Sequence, residues 1–247
     1  MVPFLYLFYA HPEWSGVQIP ESMHSAVAHA TSLFIIVPTA IRGTLKYHQV
    51  GLVNWRAALV IAGASMISAI GGAWLAVRLP GEVLRIGFGL LLLASSLQML
   101  LFRPEAPRRP SRFVLLGSIV TGVLVGLLSA LLGVGGGLIA IPMLIYVVGL
   151  GLERVAATSL AIIVFAAISG VATYIVSGWG EPAMPPGSLG YVHILAAIPM
   201  LLGAAVSVGW GTRANQRLPV HWLKRIFATL FAVMGIDLII TNLPWLG

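Results

Sequence analysis

The run Gly133-Val134-Gly135-Gly136-Gly137 is where the backbone of this 247-residue chain is most open to a ligand. Glycine has no Cβ, so Gly135, Gly136 and Gly137 let another group approach their amides closely. The run precedes a short apolar stretch, 138–150. A helix starting there adds unpaired N–H groups and the positive end of a dipole, which favour an anion. The plainer role for such a run is a flexible turn or close helix packing. Two hydroxyl pairs, Thr31-Ser32 and Thr158-Ser159, recur in matching contexts. Inside apolar helices, hydroxyls commonly bond the preceding carbonyl turn. The same groups can coordinate an oxyanion. Asp237 lies well inside an apolar segment, where a carboxylate is costly and points to function. The plainer reading is a neutral or hydrogen-bonded Asp near the outer end. His24 and His29 flank the start of the segment carrying Thr31, and imidazoles relay protons near neutral pH. Ordinary interfacial histidines would look the same. Asp237 and His29 are therefore the candidates for proton coupling. No HExxH box, paired aspartates or cysteine appears, so no metal or cofactor is expected.

The elements that must position these residues follow from composition. Hydrophobic residues make up 59% of the chain and charged residues 9%, with a mean hydropathy of +0.99. A soluble domain carries about 25% charged residues. This excludes a cytosolic enzyme, a nucleic-acid-binding domain and a disordered chain. The absence of Cys excludes a disulfide scaffold, an iron–sulfur protein and a Cys-ligated zinc site. The net charge of +7 sits in short loops between apolar runs, where it reads as a topology signal.

Nine apolar segments can be marked, roughly 1–10, 25–45, 55–77, 83–102, 113–132, 138–150, 155–177, 190–210 and 223–243. All but 1–10 and 138–150 are long enough to cross about 30 Å of hydrocarbon. The two short ones are expected as half-helices or re-entrant segments. Residues 1–10 lack the basic region and cleavage site of a signal peptide. A Pro- and charge-rich stretch, 103–112, divides the chain.

The halves resemble each other. Ala30-Thr31-Ser32-Leu33 matches Ala157-Thr158-Ser159-Leu160 at an offset of 127, and Gly43 and Tyr47 match Gly170 and Tyr174. At an offset of 139, Arg78-Leu79-Pro80 matches Arg217-Leu218-Pro219, and Gln98 matches Asp237. Ala64, Ser68 and Gly72 form a face of small residues at four-residue spacing, as do Ser118, Gly122, Gly126 and Ala130. Such faces let helices pack closely in lipid. If every segment crosses or reverses once, 12 basic residues fall on one side and Arg78 and Arg85 on the other. By the positive-inside rule the N-terminus and the 103–112 linker are then cytoplasmic. The repeats are inverted, an arrangement of secondary transporters with the site near the midplane. The expected fold is an all-α polytopic membrane protein of two inverted repeats with broken helices. The first repeat is 1–102, the cytoplasmic linker 103–112 and the second repeat 113–247. Val2-Pro3-Phe4-Leu5 aligns with Ile141-Pro142-Met143-Leu144, so the first repeat as given lacks its opening helix and glycine turn. A misplaced start, a truncated chain and a degenerate repeat all account for this.

The run from Gly133 to Pro142, the two Ala-Thr-Ser-Leu motifs and the Arg-Leu-Pro turns together resemble the TauE/SafE family of sulfite-exporter-like membrane proteins. The resemblance covers essentially the whole chain. It implies a multi-pass anion transporter of the inner membrane, associated with export of sulfite or organosulfur anions. Its partners would be a small oxyanion and the lipid bilayer, with no nucleic acid. Gly135, Gly136, Gly137, Pro142, Thr158, Ser159, Thr31 and Ser32 carry over as site positions. Two other classes stay open: an intramembrane enzyme, and a non-transporting assembly partner of a membrane complex.

Overall fold

The computed structural model describes residues 1–101, 114–204 and 220–243. The 103–112 linker and the second Arg-Leu-Pro turn lie outside these residues. The described elements are α1 (Val2–Ala10), α2 (Pro12–Ser15), α3 (Glu21–Gln49), α4 (Trp55–Ala76), α5 (Gly81–Leu101), α6 (Val114–Leu132), α7 (Gly137–Tyr146) and α8 (Leu152–Ser177). A two-stranded hairpin follows, β1 (Ser188–Leu189) and β2 (Val192–His193), paired antiparallel. Then come α9, described over Ile194–Ala204, and α10 (Val220–Asn242). The chain is an all-α polytopic membrane protein. Six described helices are long and apolar enough to span a bilayer: α3, α4, α5, α6, α8 and most of α10. The expected seventh spanning segment, 190–210, is described only as far as Ala204.

Local sequence explains the boundaries. Asn54 caps α4, its side chain accepting from the Ala57 amide at 3.2 Å, one of the donors a helix start leaves over. Beyond the end of α4, the Arg78 guanidinium sits 3.3 Å over the Trp74 ring, a cation–π contact suited to a membrane interface. The break between α6 and α7 comes from the glycines. Gly133, Gly135 and Gly136 all have positive φ, at 66°, 76° and 76°. Residues with a Cβ avoid that region. At 10 residues, α7 is about 15 Å long and is a half-helix, as expected.

The chain forms two compact units. The first comprises Met1–Arg78 and Glu105–Ala197. Here α3 and α8 pair, and α4 packs against α6 and α8. The two small-residue faces read from the sequence meet each other. A Cβ on Gly122 would lie 2.4 Å from the Ile61 carbonyl oxygen. One on Gly126 would lie 2.1 Å from that of Ser65, and one on Gly72 2.4 Å from that of Leu127. Ser68 Oγ donates to the Gly122 carbonyl across this seam at 3.4 Å. Leu115, Leu116, Ile67 and Val176 stay exposed, as lipid-facing side chains do.

Contacts across α3 and α8 come in exchanged pairs. Leu160 Cδ1 fills the space beside Gly43, and Leu33 Cδ1 fills the space beside Gly170. The backbone amide of His193 donates to Thr31 Oγ1, and that of Asn54 donates to Thr158 Oγ1, both at 3.1 Å. Swapping the members of each matched pair turns one contact into the other.

The second unit comprises Leu79–Pro104 and Ile198–Gly247. Here α5 packs on α10 through Gly89 and Gly235, each of whose absent Cβ would lie 2.8 Å from the other's carbonyl oxygen. Seven residues along α5, Ser96 Oγ donates to the Ala228 carbonyl at 2.8 Å.

Candidate functional site

The glycine turn lies in the first unit, with Gly133, Gly135 and Gly136 buried and Val134 and Gly137 half-buried, and is held from three sides. Ser32 Oγ of α3 donates to the Gly133 carbonyl at 2.9 Å. Gly133 lies against the backbone of His29, so closely that a Cβ would come 2.6 Å from the His29 Cα. Gly135 faces Ile36 of α3 and Ile163 of α8, and Gly136 faces Val125 and Ser129 of α6. Gly136 is the N-cap of α7, with no side-chain cap, and its carbonyl accepts from the amides of Ile139 and Ala140. No described backbone carbonyl accepts from the amides of Gly135, Gly136 or Gly137. Three N–H groups thus lie in sequence at the start of a half-helix. Buried amides of this kind need an acceptor, and the dipole behind them favours a negative one.

Ser129 belongs to this turn and is missing from the sequence-derived residues. It is fully buried, its hydroxyl has no partner, and its Cβ lies 3.2 Å from the position a Gly136 Cβ would occupy. Serine in an apolar helix is unremarkable by composition. The only sequence signal is its place one turn before the glycine run and one residue out of register with the Ser118–Gly122–Gly126–Ala130 face.

The other expected residues divide. His29 and Ser32 join the turn directly. Thr31 and Thr158 are both fully buried, and each accepts a backbone amide at the start of a distant helix. Their oxygens therefore fasten distant backbone, and Thr31 also shares a side-chain hydrogen bond with Tyr9. Ser159 Oγ bonds the Ala156 carbonyl one turn back at 2.9 Å. That is the local bond a helical hydroxyl commonly makes. Ile163, one turn further along α8, touches Gly135 and Gly137. Asp237 is on an exposed face of α10 in the second unit. His24 is buried, its ring bonded to the Ile19 carbonyl at 2.9 Å.

Two tyrosines of α1 also went unread in the sequence, hidden in a run that scores as apolar. Tyr6 OH is hydrogen-bonded to His29 Nε2, and Tyr9 OH lies 3.3 Å from His193 Nδ1. Their three-residue spacing on one helix face was the available signal. Among the described residues no group of His, Asp or Glu is arranged to hold a metal ion.

With this geometry in hand, comparison with known proteins is informative. The family model described as sulfite exporter TauE/SafE matches residues 1–238. A probable membrane transporter protein of Haemophilus influenzae is 30% identical over 222 residues, covering 90% of this chain and 84% of that protein. One of Methanocaldococcus jannaschii is 26% identical over 223 residues, covering 90% and 81%. Another, YunE of Bacillus subtilis, is 23% identical over 243 residues, covering 90% and 84%. No solved structure matches the chain. The family model spans nearly the whole length, the relatives are named as membrane transporters, and six described helices are long and apolar enough to span a membrane; the chain belongs to the sulfite exporter TauE/SafE family.

Proposed function

We propose that this protein is a secondary transporter that exports a small sulfur-containing oxyanion, such as sulfite or an organosulfonate, across the inner membrane. The observation that carries the reading is the glycine turn. Three amides without a backbone acceptor, the unpartnered Ser129 hydroxyl and the N-terminal end of α7 all lie at this turn and offer positive partial charge. An oxyanion supplies several acceptors at once, and a cation would be repelled. Thr31, Ser32, Thr158 and Ser159 complete the proposed polar inventory; in the resting fold Ser32 and Ser159 donate to carbonyls, and an anion would compete for those protons. His29, which lies against Gly133, and Asp237 of the second unit are the candidates for proton coupling. The exchanged contacts of Gly43–Leu160 with Gly170–Leu33, and of Thr31–His193 with Thr158–Asn54, support two inverted repeats about an axis between α3 and α8. Rocking of such repeats would expose the site to each side in turn.

Ser129→Ala separates binding from stability. The hydroxyl has no partner in the fold, so its loss should leave the melting temperature in detergent unchanged or slightly higher. Radiolabelled sulfite efflux from proteoliposomes should show a roughly fivefold weaker apparent affinity, the equivalent of about 1 kcal/mol for one net hydrogen bond. Unchanged affinity would remove Ser129 from the site. The same vesicles separate the three function classes. A transporter moves sulfite unaltered, an enzyme alters it, and an assembly partner does neither.

Orientation is checked independently. The chain has no native cysteine, so single replacements Ser111→Cys and Pro182→Cys can be labelled cleanly in intact cells and inverted vesicles. Ser111 should react from the cytoplasm and Pro182 from the periplasm, as the 12-to-two bias of basic residues requires. Reaction of both from one side would defeat the inverted topology.

A further inference from the structure

Helix α1 lays a polar face on α3 that the glycine turn does not account for. Tyr6 is bonded to His29, which is fully buried. One turn along, the Tyr9 ring lies 6.0 Å from the His193 ring and 6.3 Å from that of His24. His193 is itself tied through its amide to Thr31, two residues from His29. Two phenols and three imidazoles thus form one buried array on α1, α3 and β2. From α8, Tyr174 is close enough to Tyr6 to interact electrostatically, while its hydroxyl donates to the Ala130 carbonyl at 2.8 Å. From α3 itself come the hydroxyls of Ser25, Thr31 and Ser32. Thr31 also shares a side-chain hydrogen bond with Tyr9, which joins the hydroxyls of α3 to the array.

The internal repeat supplies the comparison that shows what this array is not. At the offset of 139, Tyr6, Tyr9 and His193 align with Ile145, Val148 and Asn54. At 127, His24 and His29 align with Gly151 and Ala156. The backbone arrangement is the same, since Asn54 meets Thr158 as His193 meets Thr31. Yet Val148 lies in an apolar core with Leu144, Leu150 and Val155, and Ile145 packs against it. One framework is therefore filled once with hydrocarbon and once with phenol and imidazole. Packing alone is satisfied by the apolar set. Burying five polar rings where hydrocarbon suffices has a desolvation cost, and polar groups kept at membrane depth are there for function.

We propose that Tyr6–His29, continued by Tyr9–His193, is a proton-loading site that links anion binding to proton binding. The inference rests on the anion reading of the glycine turn and names how that turn is regulated. A hydronium ion from the aqueous phase protonates the His29 imidazole and leaves as water, and the Tyr6 oxygen accepts a hydrogen bond from the resulting imidazolium. The positive charge then stands beside Gly133, on the turn that receives the anion. Proton and anion strengthen each other's binding, and on release the proton returns to water. Tyr9 and His193 provide the second donor–acceptor pair along the same face. Imidazole is the side chain whose charge changes between about pH 5 and 8, so the linkage operates near neutrality.

The test has a readout independent of transport. Full-length protein with ¹⁵N-labelled histidine is placed in lipid nanodiscs, and the imidazole resonances are followed between about pH 5 and 8. His29→Gln identifies the His29 signal. His29 should titrate within that window, and Tyr6→Phe should move its midpoint. A His29 that keeps one protonation state throughout overturns the proposal. A further variant, Tyr6→Ile/Tyr9→Val/His29→Ala/His193→Asn, installs the residues of the opposite half. It should remain monodisperse, because those residues already pack there, and its sulfite flux should lose the pH dependence of the wild type. Retention of the wild-type pH profile also overturns the proposal. Should the variant not fold, the Tyr6→Phe titration decides. If the wild type moves no sulfite at all, the transport reading fails, while the titration still decides the proton site.

Discussion

Gly136→Val should abolish sulfite flux in proteoliposomes while leaving membrane insertion and yield near normal. Two effects combine at this position. With φ at 76°, the backbone is where a β-branched residue is most strongly disfavoured, at a cost of roughly 1–2 kcal/mol. The added Cβ would also sit 2.8 Å from Val125 Cγ1 and 3.2 Å from both Ser129 Cβ and the Val125 carbonyl oxygen. The turn must move to relieve this, and its three amides move with it. Gly71→Ala is the control. Gly71 has no positive φ, and nothing lies within 4 Å of the position its Cβ would take. That variant should transport. If Gly136→Val transports at normal expression, the turn is a packing device and the anion binds elsewhere.

The second large effect concerns folding. Gly126→Val should leave little monodisperse protein after detergent extraction. Its Cβ would lie 2.1 Å from the Ser65 carbonyl oxygen and 2.3 Å from Ser68 Oγ. Ordinary overpacking costs about 1–3 kcal/mol because side chains can shift. Here backbone blocks the way, so α4 and α6 must separate along their whole seam. In lipid no hydrophobic force reassembles them, since the tails solvate an apolar helix equally well. Gly63→Val tests the specificity of the effect. That position has open space around it and should accept the side chain with little change in yield. A stable, monodisperse Gly126→Val would show that the seam is looser than its spacing implies.

Much of this was readable beforehand, for identifiable reasons. Helix breaking at 133–137 follows from glycine chemistry, which is local. The small faces on α4 and α6 follow from four-residue spacing, which is also local. That the two faces meet each other was not readable, because periodicity says which side of a helix packs and not against what. The hydroxyl pairs show the same limit. Their repetition marked Thr31 and Thr158 as equivalent, yet their partners, the amides of His193 and Asn54, are set by tertiary structure. Tyr6 and Tyr9 escaped notice because a hydropathy pattern counts the ring and overlooks the hydroxyl. Ser129 escaped because an isolated serine gains meaning only from what lies beside it.

The pairing of α4 with α6 and α8 bears on how the chain is made. A ribosome delivers the residues of α4 long before those of either partner exist. During that interval the notch formed by Ala64, Ser68 and Gly72 has only lipid to face. The Asn54 amide has no hydroxyl to meet until Thr158 emerges, 104 positions later. The first half thus waits in the bilayer unfinished, and the arrival of the second half completes both together. A chain released halfway would leave an inserted but unassembled product, of the kind that membrane quality control removes.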